Sequence, residues 1–436
     1  MTQKIIVFIL FLLAAGASNA QDTCLTYLKL GISFPPVSDN SQRSFANTHL
    51  NTLGVNKIRF AEDWALREPT KGNFNWKPLD ERINWAFENN YEILLTIQSN
   101  VPSWACSSAK NEKSCVFNDN NDFKIYIDSL LKRYAGKIAK IQFGNEWQSS
   151  YWYIGNAGDF IAANNTVYNS VRINSPLTKF ILGGFTSASL RFMAGCNGYV
   201  SSFYDDDGNY FDSTFLSVNC STPTVQTIIK RIDSVLQYAQ YDMLDIHLYD
   251  DVEQWDKYYL NFLQKVNKPI IVSEFGGPNM NYEAYSEAYQ ANRLYQYIKK
   301  LDSLQIKEAY YFKLIEGSSN AAHSKSGLID GTTATEKPAY FLFKSFTHCI
   351  TSVQEQASGA ELKVFPNPTS EKLTIASPLQ QFDTDTVQIY DSMGSIVKTV
   401  GINQPLTVID ILKLSSGLYY IRSKNNTAPT LKFIKQ

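Results

Sequence analysis

Two glutamates stand where paired-carboxyl chemistry would need them. Glu146 lies in Gly144-Asn145-Glu146-Trp147 and Glu274 in Val272-Ser273-Glu274-Phe275-Gly276, each at the end of a β-type run. Two carboxyl groups on either side of one acetal carbon can hydrolyse it: one protonates the departing oxygen while the other attacks or activates water. A single glutamate beside a strand is most often a solvated loop residue, so the signal is in the pair. Other chemistries are less well provided for. The histidines His49, His247, His323 and His348 are not spaced as metal ligands, and no C-x-x-C pair occurs. Lys313 is the one strand-end lysine that could serve a Schiff-base enzyme such as an aldolase. No metal or organic cofactor is implied.

The elements that would position the glutamates alternate short β-type runs with amphipathic helices from about residue 28 to 348, the pattern of a parallel sheet wrapped by helices. The runs are Leu28 to Phe34, Asn56 to Phe60, Glu92 to Gln98, Ala139 to Phe143, Lys179 to Gly183, Asp242 to His247, Pro269 to Ser273 and Glu308 to Lys313. Between the third and fourth, Phe123, Ile127, Leu130, Leu131 and Tyr134 recur at helical spacing from Asp122 to Ala135, with Gly136 as a C-terminal cap. Eight such units predict an α/β fold of the (β/α)8 TIM-barrel type, with insertions between Gly184 and Val225. An open doubly wound sheet is the alternative, but no Gly-rich phosphate loop follows the first strand. In a barrel the loops after the strands share one face, so Glu146 after strand four and Glu274 on strand seven would converge.

Glutamates on those two strands, the first preceded by asparagine, resemble the clan A glycoside hydrolases. The resemblance covers roughly residues 24 to 348 and implies that Glu146 is the acid/base and Glu274 the nucleophile of a retaining enzyme acting on β-glycosidic bonds. It implies further that Asn145 bonds the sugar 2-hydroxyl, that Arg59 in Lys57-Ile58-Arg59-Phe60 lies against the nucleophile, and that His247 and Tyr249 in Asp245-Ile246-His247-Leu248-Tyr249 line the sugar site. Arg59 as a structural ion-pair member and His247 and Tyr249 as packing residues are the plainer readings. Leu66-Arg67-Glu68-Pro69 resembles the clan's strand-two loop, with Glu68 architectural. Two positions depart from the pattern. Strand eight reads Ala309-Tyr310-Tyr311-Phe312 where many relatives carry a tryptophan platform, so Tyr311, Trp147, Trp152 or Trp104 is expected to substitute; strand three ends Gln98-Ser99-Asn100 where several families have histidine. The loop aromatics Tyr151, Trp152 and Tyr153 suggest an extended cleft for a polysaccharide or oligosaccharide. A barrel that has lost catalysis and binds carbohydrate at the surface is the rival; it would be expected to lack one carboxylate, and both are present.

The chain ends point to export. Lys4, the apolar run Ile5 to Ala15 and the small residues Ser18-Asn19-Ala20 predict a signal peptide over 1–20 rather than an anchor helix, and no later apolar run approaches the roughly 18 residues of a membrane span. Residues 21–350 are then the catalytic domain, 351–361 a polar linker, and 362–436 a small all-β sandwich with strands at Leu373 to Ile375, Val387 to Tyr390, Leu418 to Ile421 and Leu431 to Ile434. Val364-Phe365-Pro366-Asn367-Pro368-Thr369, Val387-Gln388-Ile389-Tyr390-Asp391 and Leu414-Ser415-Ser416-Gly417-Leu418-Tyr419 resemble the type IX secretion sorting domain, which implies a Gram-negative source, export through the periplasm and the secretion machinery as partner. A carbohydrate-binding or immunoglobulin-like module is the alternative, weakened by the absence of tryptophan there. The six cysteines suit an oxidising compartment and, among fifteen possible connectivities, fall most simply into Cys106 with Cys115, Cys196 with Cys220, and Cys24 with Cys349 across the barrel closure. A net charge of −1 provides no basic field for nucleic acid, and a monomer is expected.

Overall fold

The computed structural model describes residues 23–110, 114–317, 321–349, 363–376, 385–391, 394–402, 406–424 and 431–436. The signal peptide and the linker read from the sequence lie outside these residues. The chain divides into two compact units between Cys349 and Ile350.

In the first unit eight parallel strands close into a barrel: β1 (Lys29–Ser33), β2 (Lys57–Glu62), β3 (Glu92–Ile97), β4 (Lys140–Asn145), β5 (Lys179–Phe185), β6 (Met243–Tyr249), β7 (Ile270–Gly276) and β8 (Glu308–Tyr311). β1 pairs with β8 through Leu30 opposite Ala309, which closes the cylinder and excludes the open doubly wound sheet. Strands β4 to β7 run two or three residues past their expected ends. Asn145, Tyr249 and Glu274 are therefore strand residues, with directions fixed by the ladder rather than by a loop.

The barrel interior is filled in layers. At the bottom, Lys57 bridges Glu92 (2.6 Å) and Glu308 (3.2 Å), and Lys140 reaches Glu308 (3.0 Å) and Glu92. Above this ion ring lies an apolar layer of Leu94, Ile181, Ile271 and Tyr310. Three of these come from the odd strands β3, β5 and β7; β1 contributes Gly31, where a Cβ would stand 2.5 Å from the Tyr310 ring, so β8 fills the slot that β1 leaves. The next inward positions are polar, among them Arg59, Thr96, Gln142 and Asp245, all fully buried. The predicted helix between strands three and four spans Asn120–Arg133 and buries Phe123, Tyr126, Ile127, Leu130 and Leu131. The insertion after β5 holds two helices, Ser187–Cys196 and Ser213–Asn219, around a hairpin of Phe203–Tyr204 with Tyr210–Phe211.

All three expected disulfides are formed, with Cα separations of 5.1 Å for Cys24–Cys349, 5.8 Å for Cys106–Cys115 and 5.3 Å for Cys196–Cys220. Among the described residues no helix is long and apolar enough to cross a membrane.

The second unit is all-β. One sheet orders β9 (Lys363–Phe365), β10 (Lys372–Ala376) and β13 (Leu406–Asp410); the other orders β12 (Ile396–Ile402), β11 (Asp385–Tyr390), β14 (Gly417–Ser423) and β15 (Leu431–Lys435). Leu373, Ile375, Val387, Ile389, Ile409, Ile421 and Phe433 form the core. Alternation along β14 buries Tyr419, Ile421 and Ser423 and exposes the residues between them.

Candidate active site

The site is built on Arg59. Its guanidinium is fully buried at the centre of the upper barrel, where an uncompensated charge would cost several kcal/mol. Five neighbours compensate it. Nε donates to Thr96 Oγ1 (2.9 Å), Nη1 to Ser33 Oγ (3.2 Å) and Glu274 Oε1 (2.5 Å), and Nη2 to Gln142 Oε1 (3.1 Å) and Asn145 Oδ1 (2.8 Å). Residues of β1, β3, β4 and β7 are thus oriented around one rigid fork from β2.

Glu274 receives that fork on one oxygen and the Tyr249 hydroxyl on the other (2.7 Å). Burial alone would raise its pKa. The charges of His247 and Arg59, with hydrogen bonds from Arg59 and Tyr249, outweigh burial and hold the carboxyl below its ordinary range, ionised at neutral pH. The Tyr249 phenol is pushed well above its usual pKa by burial and by Glu274, so it remains a proton donor.

Glu146 follows β4 directly and has a left-handed backbone (φ 48°), a conformation that costs an L-residue roughly 1–2 kcal/mol and is held here by its surroundings. Its Oε2 accepts the Trp152 indole N–H (2.9 Å) and its Oε1 meets His247 Nδ1 at 2.9 Å. Its side chain is 22% exposed against 9% for Glu274, so it faces the open end of the barrel. One oxygen of each glutamate and a ring nitrogen of His247 lie within 4.8 Å of one another. Such a donor set can in principle hold a cation, but Arg59 and Tyr249 already occupy both Glu274 oxygens and balance its charge.

The expected set therefore divides. Glu146, Glu274, Arg59, Asn145, His247 and Tyr249 come together in one cluster, joined by Trp152 through its bond to Glu146, whereas the other expected aromatic substitutes, Trp147, Tyr311 and Trp104, stay outside it. Trp147 is fully buried, stacked on Phe160 (4.6 Å), with its indole bonded to the Gly183 carbonyl; it has no face to offer a sugar. Tyr311 points away from the barrel axis, fully buried against Phe275 and Phe343, with its hydroxyl on the Ser326 carbonyl (2.6 Å). Trp104 bonds the Glu68 carbonyl (2.9 Å) and packs on Trp64 and Lys71, none of them in the cluster. Lys313 bonds the Gly317 carbonyl (3.0 Å) instead of a cluster residue. Glu68 accepts from the Trp64 indole and the Gly72 amide, both at 2.7 Å, as an architectural residue would.

The ring missed by sequence reading is Phe312, half-buried at the end of β8 and edge-on to Phe34 (6.0 Å) and Tyr249 (6.1 Å); Phe34 in turn lies under Arg59 (4.9 Å). Strand alternation could have found it, because Tyr310 and Phe312 share one face and Tyr311 takes the other. Also missed were Thr96, Gln142 and Asp245, each a polar residue between two apolar ones in a strand, a position where an inward polar group needs a partner.

A closed barrel that carries two carboxyl groups at one opening has the layout that acetal hydrolysis by a carboxyl pair requires. Residues 194–340 match the glycosyl hydrolase catalytic core, and residues 363–436 match the secretion system C-terminal sorting domain. The first unit thus carries a match to a glycosyl hydrolase catalytic core and the second a match to a secretion-system sorting domain, the kind of domain that directs export to the cell surface or outside. Among curated proteins, endo-1,4-β-xylanase 1 of Gibberella zeae is 29% identical over 89 residues, 20% of this chain and 24% of that protein. Endo-1,4-β-xylanase A of Fusarium oxysporum f. sp. lycopersici is 29% identical over 101 residues, 22% of this chain and 29% of that protein. The chain thus spans only about a quarter of the length of these relatives. Among solved structures, a family 39 glycoside hydrolase from the gut symbiont Bacteroides cellulosilyticus WH2 superposes with TM-score 0.51 at 11% identity, covering 93% of this chain and 80% of that one. An exo-β-1,4-mannosidase from Opitutaceae bacterium strain TAV5 superposes with TM-score 0.53 at 13% identity, covering 74% and 59%. At these identities the structural likeness speaks for the fold alone.

Proposed function

We propose that the protein is a secreted retaining glycoside hydrolase that cleaves β-glycosidic bonds by double displacement. The observation that carries the reading is the approach of Glu146 and Glu274 to within 4.8 Å through their nearest oxygens, with opposite environments. Retaining enzymes set their carboxyl groups about 5–5.5 Å apart, whereas inverting ones need about 6.5–9.5 Å for an intervening water. Glu274, pinned and ionised by Arg59 and Tyr249, attacks the anomeric carbon while Glu146 protonates the departing oxygen; Glu146 then deprotonates the water that releases the sugar. With its oxygen committed to Arg59, Asn145 has its amide N–H groups to offer the sugar 2-hydroxyl. Phe312 is the apolar wall of the reacting subsite, in the place where the clan's platform tryptophan would stand.

The curated relatives are named as endo-1,4-β-xylanases, so β-1,4-xylan heads the substrate panel, beside β-mannans, β-glucans and aryl β-glycosides. Proton NMR of the first-formed product from the mature chain tests the reading: a β-configured reducing end supports it, and no hydrolysis across the panel sinks it. The purely binding barrel is disfavoured because a lectin gains nothing from a carboxylate buried against arginine.

A further inference from the structure

Asp245 plays no part in the double displacement described above, yet it is fully buried and accepts from three donors. Ser273 gives its backbone N–H to Oδ1 (2.7 Å) and its hydroxyl to Oδ2 (2.5 Å), and Gln142 gives its amide to Oδ2 (2.5 Å). The same Oδ2 stands 3.3 Å from His247 Nε2, and His247 Nδ1 stands 2.9 Å from Glu146 Oε1. The imidazole therefore spans two carboxyl groups, one sealed in the barrel and one at its mouth.

The surroundings of His247 are accounted for strand by strand. Asp245 is on its own strand. β7 presents Glu274 Oε1 at 3.8 Å and the Ser273 hydroxyl at 3.3 Å, and Glu146 faces it from the end of β4. β5 presents Gly184, where a Cβ would lie 2.1 Å from Nε2 and 2.7 Å from Asp245 Oδ2, so a side chain there would displace the Asp245–His247 contact. Arg59 reaches the ring indirectly, through Glu274 and, by way of Gln142, through Asp245.

Taking Glu146 as the acid/base, we propose that Asp245 is a positioning residue which, through His247, keeps one proton shared between His247 Nδ1 and Glu146 Oε1, and so keeps Glu146 competent as an acid. Nε2–H points at Asp245 throughout. In the first step the shared proton leaves from the Glu146 carboxyl to the departing oxygen as that C–O bond breaks and the bond from Glu274 to the anomeric carbon forms. In the second, the attacking water returns a proton to Glu146 as its oxygen bonds that carbon and Glu274 departs, which restores the pair. Burial would lower the His247 pKa, but the charges of Glu274 and Asp245 and hydrogen bonds with Asp245 and Glu146 push it up to about 10, in keeping with a proton held well past neutrality.

The test is the pH dependence of kcat/KM for the mature chain and Asp245→Asn on aryl β-glycosides of poor and good leaving ability. With the poor leaving group, the alkaline limb of the variant should fall at a pH lower by about 1–3 units, the shift expected when a close opposite charge is removed. With a dinitrophenyl leaving group, which departs without protonation, the alkaline limb should stay in place. An unmoved limb with the poor leaving group, or an equal loss on both substrates at every pH, overturns the proposal. Ser273→Ala, which removes one donor but keeps the Asp245 charge, should retain the parent limb; if it shifts as far as Asp245→Asn, packing rather than charge is responsible. Nitrogen-15 spectra of the four histidines read the relay without any substrate: His247 should stay doubly protonated through pH 8 in the parent and lose a proton below it in Asp245→Asn. Those spectra separate the two readings. A parent protein that hydrolyses no β-glycoside defeats the proposed function, whereas a His247 already singly protonated at pH 8 defeats the relay.

Discussion

Arg59 Nη1 and Glu274 Oε1 approach to 2.5 Å, and the guanidinium that makes this contact also holds Ser33, Thr96, Gln142 and Asn145. The ion pair is thus at once part of the reaction centre and the fastener between β2 and β7. Arg59→Met should leave Glu274 buried with one hydrogen-bond donor fewer and no adjacent guanidinium, at a cost of about 3–5 kcal/mol. Because Glu274 titrates below its ordinary range in the folded protein, its contribution to stability is complete above that ordinary range and is lost as pH falls through the lowered value. Chemical denaturation of parent and variant from pH 7 down to 3 should therefore show curves that converge in acid. The acid limb of kcat/KM should move upward in the variant, and an unchanged acid limb would count against Arg59 as one of the groups, with His247, that keep the nucleophile ionised.

The Trp152 indole N–H bonds Glu146 directly at 2.9 Å. Trp152→Phe keeps the ring and removes the N–H. A hydrogen bond to a charged group contributes about 1.5–3 kcal/mol, so kcat should fall about tenfold to a hundredfold if the bond orients Glu146 in the transition state. Steady-state kinetics with natural and activated leaving groups check this: the loss should be concentrated in the former, where proton delivery matters most.

The framework was legible because barrel strands are short, apolar and evenly separated by amphipathic helices, and because both glutamates stand beside strand ends. Of the six residues of the cluster, Glu146 and Glu274 were legible from their places at strand ends, and Arg59, Asn145, His247 and Tyr249 from the resemblance to the clan A glycoside hydrolases. Aromatic positions were not. Trp147 and Tyr311 were expected as substitutes for the platform tryptophan that the resemblance implies, but strand direction decides which face a ring occupies, and a one-residue step sends Tyr311 outward to Phe343 and Phe312 inward to Tyr249. Gln142 and Asp245 escaped notice for another reason. Their partners are 83 and 103 residues away along the chain, so only the closed barrel shows that their polarity is satisfied.

The disulfides should differ in their effect. Cys24–Cys349 closes 325 residues and Cys196–Cys220 closes 24. Chain-entropy reasoning assigns about 6 kcal/mol to the first and about 3.5 kcal/mol to the second. Paired serine substitutions at 24 and 349 should therefore lower the denaturation midpoint further than those at 196 and 220, while kcat/KM of the folded fraction is unchanged in both. Non-reducing peptide mapping verifies the parent pairing, and a Cys106–Cys220 peptide would contradict it.

Glu146→Ala provides the sharpest check on the order of events. Without the acid, substrates with poor leaving groups should be turned over at least about a hundredfold more slowly, whereas activated aryl glycosides still load Glu274. Without the base the glycosyl-enzyme should then accumulate, visible as a burst followed by a slow steady state. Azide needs no deprotonation to attack, so adding it should restore steady-state turnover. Its product should be the β-azide, since two inversions at one carbon return the starting configuration. Glu274→Gln should show neither burst nor rescue, because no covalent intermediate forms. An α-azide from Glu146→Ala would mean that a small anion enters the space of a missing carboxylate in a single displacement. Residue 146 would then be the attacking or base group, and the roles of the two glutamates would be exchanged.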